Sequence, residues 1–171
     1  MPSRIIKSNA RGGSVELTNC LSSLLALELL SPSPEVYLIS PWISNMSVLD
    51  NSFGQFRGVM GDMGKNEIRL AKILLRLAEA GSKVRIIYQP DYDTTEAFLK
   101  ALGDKPHNIE TRSTKTSHEK GFITHHFYLH GSMNFTFSGL HINDESVELK
   151  TDPTDVQLAL LEADRKWEDL A

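Results

Sequence analysis

NEIRLAKILLRLAEAGSKVRIIY, residues 66–88, joins a helical pattern to a strand-like one and decides the expected fold class. Apolar residues recur there mostly at three- and four-residue steps, which predicts an amphipathic helix over residues 66–80. Gly81 follows, and glycine most readily adopts the left-handed conformation that ends a helix. The β-branched run at residues 84–88 then predicts a buried strand.

Similar patterns flank this unit. Further elements are predicted at residues 14–30 (helix), 36–39 (strand), 93–103 (helix) and 108–113 (strand). Alternating strands and helices are typical of an α/β layer with parallel pairings. Residues 121–149 look rich in strands, and Asp152 and Pro153 begin a last predicted helix. Residues 42–64, with four glycines, predict a long mobile loop, either functional or poorly ordered.

The composition fits one globular domain spanning residues 1–171, with 40% apolar residues. Cys20 is the only cysteine, so an internal disulfide and a four-cysteine zinc site are excluded, which suits a reducing cytoplasm. We expect neither a signal peptide nor a membrane span, and therefore a cytoplasmic protein. The net charge of −4 argues against loose, delocalised binding to nucleic acid.

Two short motifs carry the residues suited to chemistry. His118 and Lys120 alternate, so in a strand they project together and place a group that titrates near neutrality beside a fixed cation. Ser132 and Asn134 also alternate and supply a hydroxyl and an amide. A histidine, a lysine and two neutral donors suit a tetrahedral anion such as phosphate. Glu145 is a plausible partner for the second ring nitrogen of His118.

Taken together, these motifs resemble the HxK…GSxN motif of the phospholipase D superfamily. Residues 132–136, followed by the Asn-Asp-Glu cluster at 143–145, look like the small bacterial endonucleases of that superfamily. The resemblance covers most of residues 35–170, and residues 118–145 are its specific part. It implies an α/β fold with a phospholipase D-like mixed, mainly parallel sheet flanked by helices. The core would lie at about 35–170, preceded by the helix at 14–30.

The same resemblance implies a mechanism and a partner. His118 would attack phosphorus and form a phosphohistidine, while Lys120, Ser132 and Asn134 would hold the phosphate oxygens and Glu145 would orient the histidine. Because the chain has one copy of the motif, the resemblance implies a homodimer in which the second His118 is the general acid. No metal or other cofactor is required in such a mechanism.

One departure from the family pattern concerns His125, which stands where the family has an aspartate five residues after the lysine. That aspartate is largely structural in the family, so we expect retained geometry. His126 and His130 could suggest a metal, but the flanking apolar residues favour a strand, in which they would lie about 13 Å apart. Surface or supporting roles are therefore expected for these histidines.

Three functions follow from these patterns. The leading one is a metal-independent nuclease acting on DNA or RNA. Such a nuclease resembles proteins encoded with bacterial DNA modification and restriction systems, including those of deazapurine-modified DNA, and implies a role in phage defence. We expect Arg112, Lys115 and His141 to contact its substrate. The second is a phospholipase or phosphatidyltransferase, for which the aromatic residues of 42–64 could form an apolar rim. The third is a catalytically silent nucleic-acid-binding subunit with partner proteins of such a system.

Overall fold

The computed structural model describes residues 3–9, 15–61, 66–106 and 108–170, which form nine strands and six helices. The strands are β1 (Ser3–Ser8), β2 (Glu35–Ile39), β3 (Ser47–Asn51), β4 (Asn66–Arg69), β5 (Lys83–Tyr88), β6 (Ile109–Ser113), β7 (Gly121–Ile123), β8 (Tyr128–Gly131) and β9 (Glu145–Lys150). The helices are α1 (Val15–Leu30), α2 (Arg57–Met60), α3 (Leu70–Glu79), α4 (Asp93–Ala101), α5 (Phe137–His141) and α6 (Pro153–Asp169).

A mixed sheet of seven strands organises the fold in the order β1-β9-β8-β7-β2-β5-β6. β2, β5 and β6 pair in parallel, as the alternation of strands and helices predicts. β7 pairs antiparallel with β2, and β8, β9 and β1 continue antiparallel from it. The predicted α/β class, with a mixed sheet flanked by helices, is confirmed, and the parallel pairings are confined to the β2-β5-β6 side.

Helices cover both faces of this sheet, because its central strands are apolar on both sides. In β2, Val36 and Leu38 face the larger core, which includes α1 and α3. Tyr37 and Ile39, which alternate with them, lie in a second core beneath α6. Among the described helices, none is both long enough and apolar enough to cross a bilayer.

Arg85 links α6 to the sheet. Its guanidinium donates to the Tyr37 hydroxyl and to the Asp164 carboxylate, both at 2.7 Å, and lies 5.0 Å from the ring centre of Trp167. Burial raises the pKa of Tyr37 to about 12, so the phenol stays neutral at physiological pH. The hydrogen bond from Tyr37 lowers the pKa of Asp164, so this carboxylate stays charged as the partner of Arg85.

The predicted mobile loop over residues 42–64 is wrong where the structure describes it. β3 pairs antiparallel with β4, and α2 lies between them. Val48, Leu49 and Met60 are buried in the larger core, so burial of these apolar side chains holds the segment in place. The glycines suggested a loop, but Gly54 and Gly61 lie in turns that flank α2, and Gly58 lies within it. Residues 62–65 lie outside the described part.

The predicted start of the central helix is also wrong. Residues 66–69 form β4, and the helix begins at Leu70. Ile68 is buried from the strand, not from the helix, so it fitted the helical spacing without belonging to it. The other predicted helices and strands are confirmed within a few residues, whereas β1 was not predicted. The predicted start of the first helix, residue 14, lies outside the described part.

Gly131 allows β8 to lie against β9. Its φ of +149° is one that side-chain-bearing residues rarely adopt, and an added Cβ would lie 2.2 Å from the Ser146 carbonyl oxygen. No similar crowding exists at Gly58 in α2, where a Cβ would meet nothing within 4 Å. The two positions therefore provide a matched pair of substitutions.

We expect Gly131→Ala to lower the free energy of unfolding by roughly 2 kcal/mol or more, because backbone strain and the β9 contact act together. Gly58→Ala should leave it unchanged or raise it by up to about 1 kcal/mol. Urea unfolding of both variants checks this. Equal stability of Gly131→Ala and the parent protein would show that β8 and β9 do not need this close approach.

Candidate functional site

All seven strands of the large sheet begin or end at the same end of it, including β1, whose last residue, Ser8, pairs with the first residue of β9. The parallel strands β2, β5 and β6 end there, and β7 begins there, because Ile39 pairs with Gly121. β8 ends there, since its His130 pairs with the same glycine, and β9 begins there. The predicted catalytic residues just beyond or at these strand ends are His118, Lys120, Ser132, Asn134 and Glu145.

The His118-Glu119-Lys120 segment lies directly before β7 and is outside any regular element. Glu119 forms an ion pair with Lys166 of α6, which directs this carboxylate to the α6 face of the sheet. His118 is exposed and Lys120 is partly exposed, and neither has a hydrogen-bond or ion-pair partner within the described residues. Both are available to an incoming anion.

Ser132 is fixed to β9. Its hydroxyl accepts from the backbone N–H of Ser146 at 2.9 Å and donates to the carboxylate of Glu145. The side-chain amide of Asn143 also donates to Glu145, at 3.4 Å. The Glu145 carboxylate is thus held beside Ser132, and its predicted role in orienting His118 stays a prediction.

Asn134 is positioned by two contacts that the sequence did not indicate. The buried Ser40 hydroxyl lies 3.4 Å from the Asn134 side-chain oxygen and accepts from the N–H of Phe135 at 3.2 Å. A Cβ at Gly139 would lie 2.2 Å from the Asn134 carbonyl oxygen, so α5 packs directly on this backbone. Ser40, the first residue after β2, thus sets the position of Asn134, and no sequence motif pointed to it.

A cleft of about 230 Å³ lies beside Asn134. Three aromatic side chains line it, Trp42, Tyr92 and Phe137, together with Asn134, Asn143 and four serine or threonine residues. Trp42 and Tyr92 are stacked, with their ring centres 5.2 Å apart and their planes inclined by 28°. The cleft is therefore a neutral, partly aromatic extension of the strand-end site.

The three predicted substrate contacts have different surroundings. The Arg112 guanidinium lies 4.2 Å from the Trp167 ring centre and donates to the Trp167 carbonyl, so it packs against α6. Lys115 is exposed in the turn after β6, at the strand-end side of the sheet. His141 ends α5, and its ring lies 4.7 Å from that of Phe137, which lines the cleft. Arg112 is thus already engaged, whereas Lys115 and His141 lie towards the site.

Of the other described histidines, His125 and His126 lie at the opposite end of the sheet, whereas His130 lies within β8 at the site end. His125 and His126 form the turn between β7 and β8, with the His126 Nε2 2.9 Å from the Ser31 carbonyl oxygen. His130 stacks on Tyr128 within β8 and lies 3.3 Å from Glu148. Within the described part of the chain, no three His, Cys, Asp or Glu side chains come together as metal ligands.

His125 lies at the opposite end of the sheet from His118. Its ring nitrogen is 4.0 Å from the carboxylate of Glu35, the first residue of β2, and its backbone N–H donates to the Ser33 hydroxyl at 3.1 Å. The four residue steps of β2 place this end about 13 Å from the strand end that bears the site. The replaced family aspartate therefore corresponds to a position in a supporting turn.

Comparison with known proteins gives a consistent result. The family model described as the phospholipase D-like domain of cardiolipin synthase matches residues 47–167. No curated protein sequence resembles the chain closely enough to count as a match.

Solved structures share the fold at low sequence identity. Nuc of Salmonella typhimurium, a phospholipase D family member, is 17% identical with a TM-score of 0.61, over 98% of this chain and 95% of its own. NucT of Helicobacter pylori is 16% identical with a TM-score of 0.56, over 99% and 96%. Phosphatidylserine synthase of Haemophilus influenzae is 16% identical with a TM-score of 0.59, over 96% of this chain and 38% of its own. The chain belongs to the phospholipase D superfamily.

Proposed function

We propose that this protein is a metal-independent phosphodiesterase, a nuclease that cleaves DNA or RNA through a phosphohistidine intermediate at a site shared between two subunits. The observation that carries the proposal is the pairing of His118 and Lys120, unengaged within the described residues, at the strand end that also bears Ser132 and Asn134. A nucleophile, a cation and neutral donors are the groups that phosphoryl transfer without a metal needs.

In the first step, a ring nitrogen of His118 attacks phosphorus, and the bond from phosphorus to the leaving oxygen breaks. His118 of the partner subunit gives its proton to that oxygen. In the second step, the partner's His118 takes a proton from water, the resulting hydroxide attacks phosphorus, and the phosphorus–nitrogen bond breaks. Lys120 and Asn134 stabilise the charge on the non-bridging oxygens throughout. The Ser132 hydroxyl turns from Glu145 to donate to a phosphate oxygen. The released Glu145 carboxylate then orients His118.

The position of His125 supports retained activity. A substitution in a turn about 13 Å from the strand end leaves the nucleophile and its donors unchanged. This argues against a catalytically silent subunit. A solved structure with the same fold, the archaeal chromatin protein TrmBL2, is described by its DNA binding, which supports nucleic acid as the substrate. Association with a bacterial modification and restriction system in the cytoplasm remains part of the proposal.

A lipid substrate is the second candidate function. The matching family model describes a domain of cardiolipin synthase, and phosphatidylserine synthase shares the fold. The exposed rings of Trp42 and Phe137 beside Asn134 could contact a lipid. Cleavage assays on single- and double-stranded DNA, RNA and a phospholipid, all in excess EDTA, separate the two candidates.

We expect His118→Ala to abolish cleavage, because it removes the group that forms the covalent intermediate. Lys120→Ala and Asn134→Ala should each lower kcat by about 10²-fold or more, as the loss of a preorganised charge-stabilising donor does. His126→Ala is the matched control, since this ring lies in the far turn and should change kcat little. Excess EDTA should have no effect on the parent enzyme. A His126→Ala loss equal to that of His118→Ala, together with EDTA sensitivity, would favour a metal site.

We also expect a twofold symmetric dimer whose axis passes close to His118, with residues 131–149 in the interface. Sedimentation velocity and small-angle scattering measure the subunit number, and mixing tests the shared site. Titrating inactive His118→Ala protein into the parent enzyme should lower activity beyond simple dilution, because mixed dimers lack a nucleophile or an acid in each turnover. A monomer that is fully active would contradict the shared site.

A further inference from the structure

The aromatic cleft beside Asn134 is not used by the proposed chemistry. Trp42 follows the end of β2, and Tyr92 directly precedes α4. Their side chains are stacked but remain 42% and 41% exposed, respectively, and Phe137, which also lines the cleft, is 56% exposed. Three large rings are thus presented to solvent around one recess of about 230 Å³.

We propose that Trp42 and Tyr92 form a stacking site for one unpaired nucleobase next to the scissile phosphate, so that the protein selects single-stranded over duplex nucleic acid. This inference rests on the proposed nuclease function and specifies its substrate class.

The two rings are held in place before a ligand arrives. The Trp42 carbonyl accepts from the buried Ser40 hydroxyl at 2.8 Å, and the N–H of the next residue, Ile43, donates to Thr95 of α4 at 3.0 Å. This second bond joins the Trp42 segment to the helix that Tyr92 precedes. A fixed platform loses little conformational freedom on binding, which favours stacking of a flat ligand.

The cleft is continuous with the phosphate site through one residue. Asn134 lines the cleft, and its amide is also a predicted donor to the phosphate oxygens. A nucleotide whose phosphate contacts Asn134 therefore has its own base, or that of its neighbour, within reach of the Trp42 ring. Ring stacking is the interaction by which single strands are commonly held without sequence preference.

The character of the lining favours a base over an acyl chain or a second phosphate. Seven of the nine described lining residues carry a hydroxyl or an amide, which can bond to the edge of a base but would be desolvated by an alkyl chain. None of the nine is charged, so the cleft offers no cation for another phosphate. Flat rings with neutral polar groups at the margin match the two faces and the edge of a nucleobase.

Only an unpaired base can use such a site. In a duplex, each base is covered above and below by its neighbours and is paired along its edge. Placing it on the Trp42 ring would require unstacking and unpairing, which strongly disfavours the duplex. We expect single-stranded DNA to be cleaved at least tenfold more efficiently than the same sequence as a duplex, in terms of kcat/KM.

Binding should be measured in a His118→Ala background, which prevents cleavage, using fluorescence anisotropy with a labelled single-stranded DNA oligonucleotide and its duplex. Adding Trp42→Ala should weaken single-strand binding by about 5- to 100-fold, the range for one base on one ring, and duplex binding much less. Trp42→Phe should largely restore it. Phe53→Ala is the matched control, because Phe53 is 93% exposed on the β3 to α2 turn and should change nothing.

An abasic nucleotide provides a second, independent variant. Moved along the oligonucleotide, it should weaken binding at one position by the same factor as Trp42→Ala, and the two losses should not add when combined. Thermal melting and sedimentation of each variant check that fold and subunit number are unchanged.

Several results would overturn the stacking site. One is that the parent enzyme cleaves DNA while the Trp42→Ala variant binds single strands normally. Another is that Trp42→Ala weakens binding of single strand and duplex equally, and a third is that its loss of affinity adds to that of the abasic nucleotide. Dissociation of the Trp42→Ala dimer would instead make the rings a subunit contact. Binding to phosphatidylglycerol vesicles that depends on Trp42 would make the cleft a lipid site. If the parent enzyme neither cleaves nor binds nucleic acid, the proposed function fails, and the stacking site fails with it.

Discussion

The buried hydroxyl of Ser40 joins the chain leaving β2 to the chain leaving β8. It donates to the Trp42 carbonyl, accepts from the N–H of Phe135 and lies 3.4 Å from the Asn134 side chain. Ser40 is only 1% exposed, so each of these contacts forms without competition from water. One hydroxyl thus sets the position of a predicted phosphate donor and of the aromatic ring next to it, and both depend on where β2 ends.

Charge is distributed in the site so that an anion meets little repulsion. Glu119 would otherwise stand between His118 and Lys120, but its ion pair with Lys166 draws it to the α6 face. Glu145 is occupied by the Ser132 hydroxyl and the Asn143 amide. Lys120 and His118 have no ion-pair or hydrogen-bond partner within the described residues, which suits phosphate binding on a chain whose net charge is −4.

The sequence predicted the parallel part of the sheet well, because β2 and β5 are mostly apolar on both faces and each follows a helix with an apolar face, α1 and α3 respectively. It predicted β3 and β4 poorly. Val48 and Leu49 belong to a strand too short to show alternation, and Ile68 fitted a helical spacing by coincidence. Local periodicity cannot separate a four-residue strand from the first turn of the helix that follows it.

The site was predicted in part for a similar reason. His118, Lys120, Ser132 and Asn134 follow a two-residue spacing, so the motif itself carried them, and register brings them to one strand end. Ser40 and Tyr92 carry no such pattern, because their contacts join segments about 90 and 50 residues apart, respectively. Arg112 looked like a free cation in the sequence, but its stacking on Trp167 depends on how α6 lies on the sheet.

Covalent trapping tests the central claim most directly, namely that His118 is the nucleophile of a phosphodiesterase. Parent enzyme is mixed with a radiolabelled single-stranded oligonucleotide in EDTA, quenched in alkali within one turnover, digested and mapped by mass spectrometry. We expect an acid-labile, alkali-stable phosphoramidate on His118 that forms and decays at the rate of turnover. Metal-independent cleavage that proceeds with no adduct on His118 at any time would contradict it.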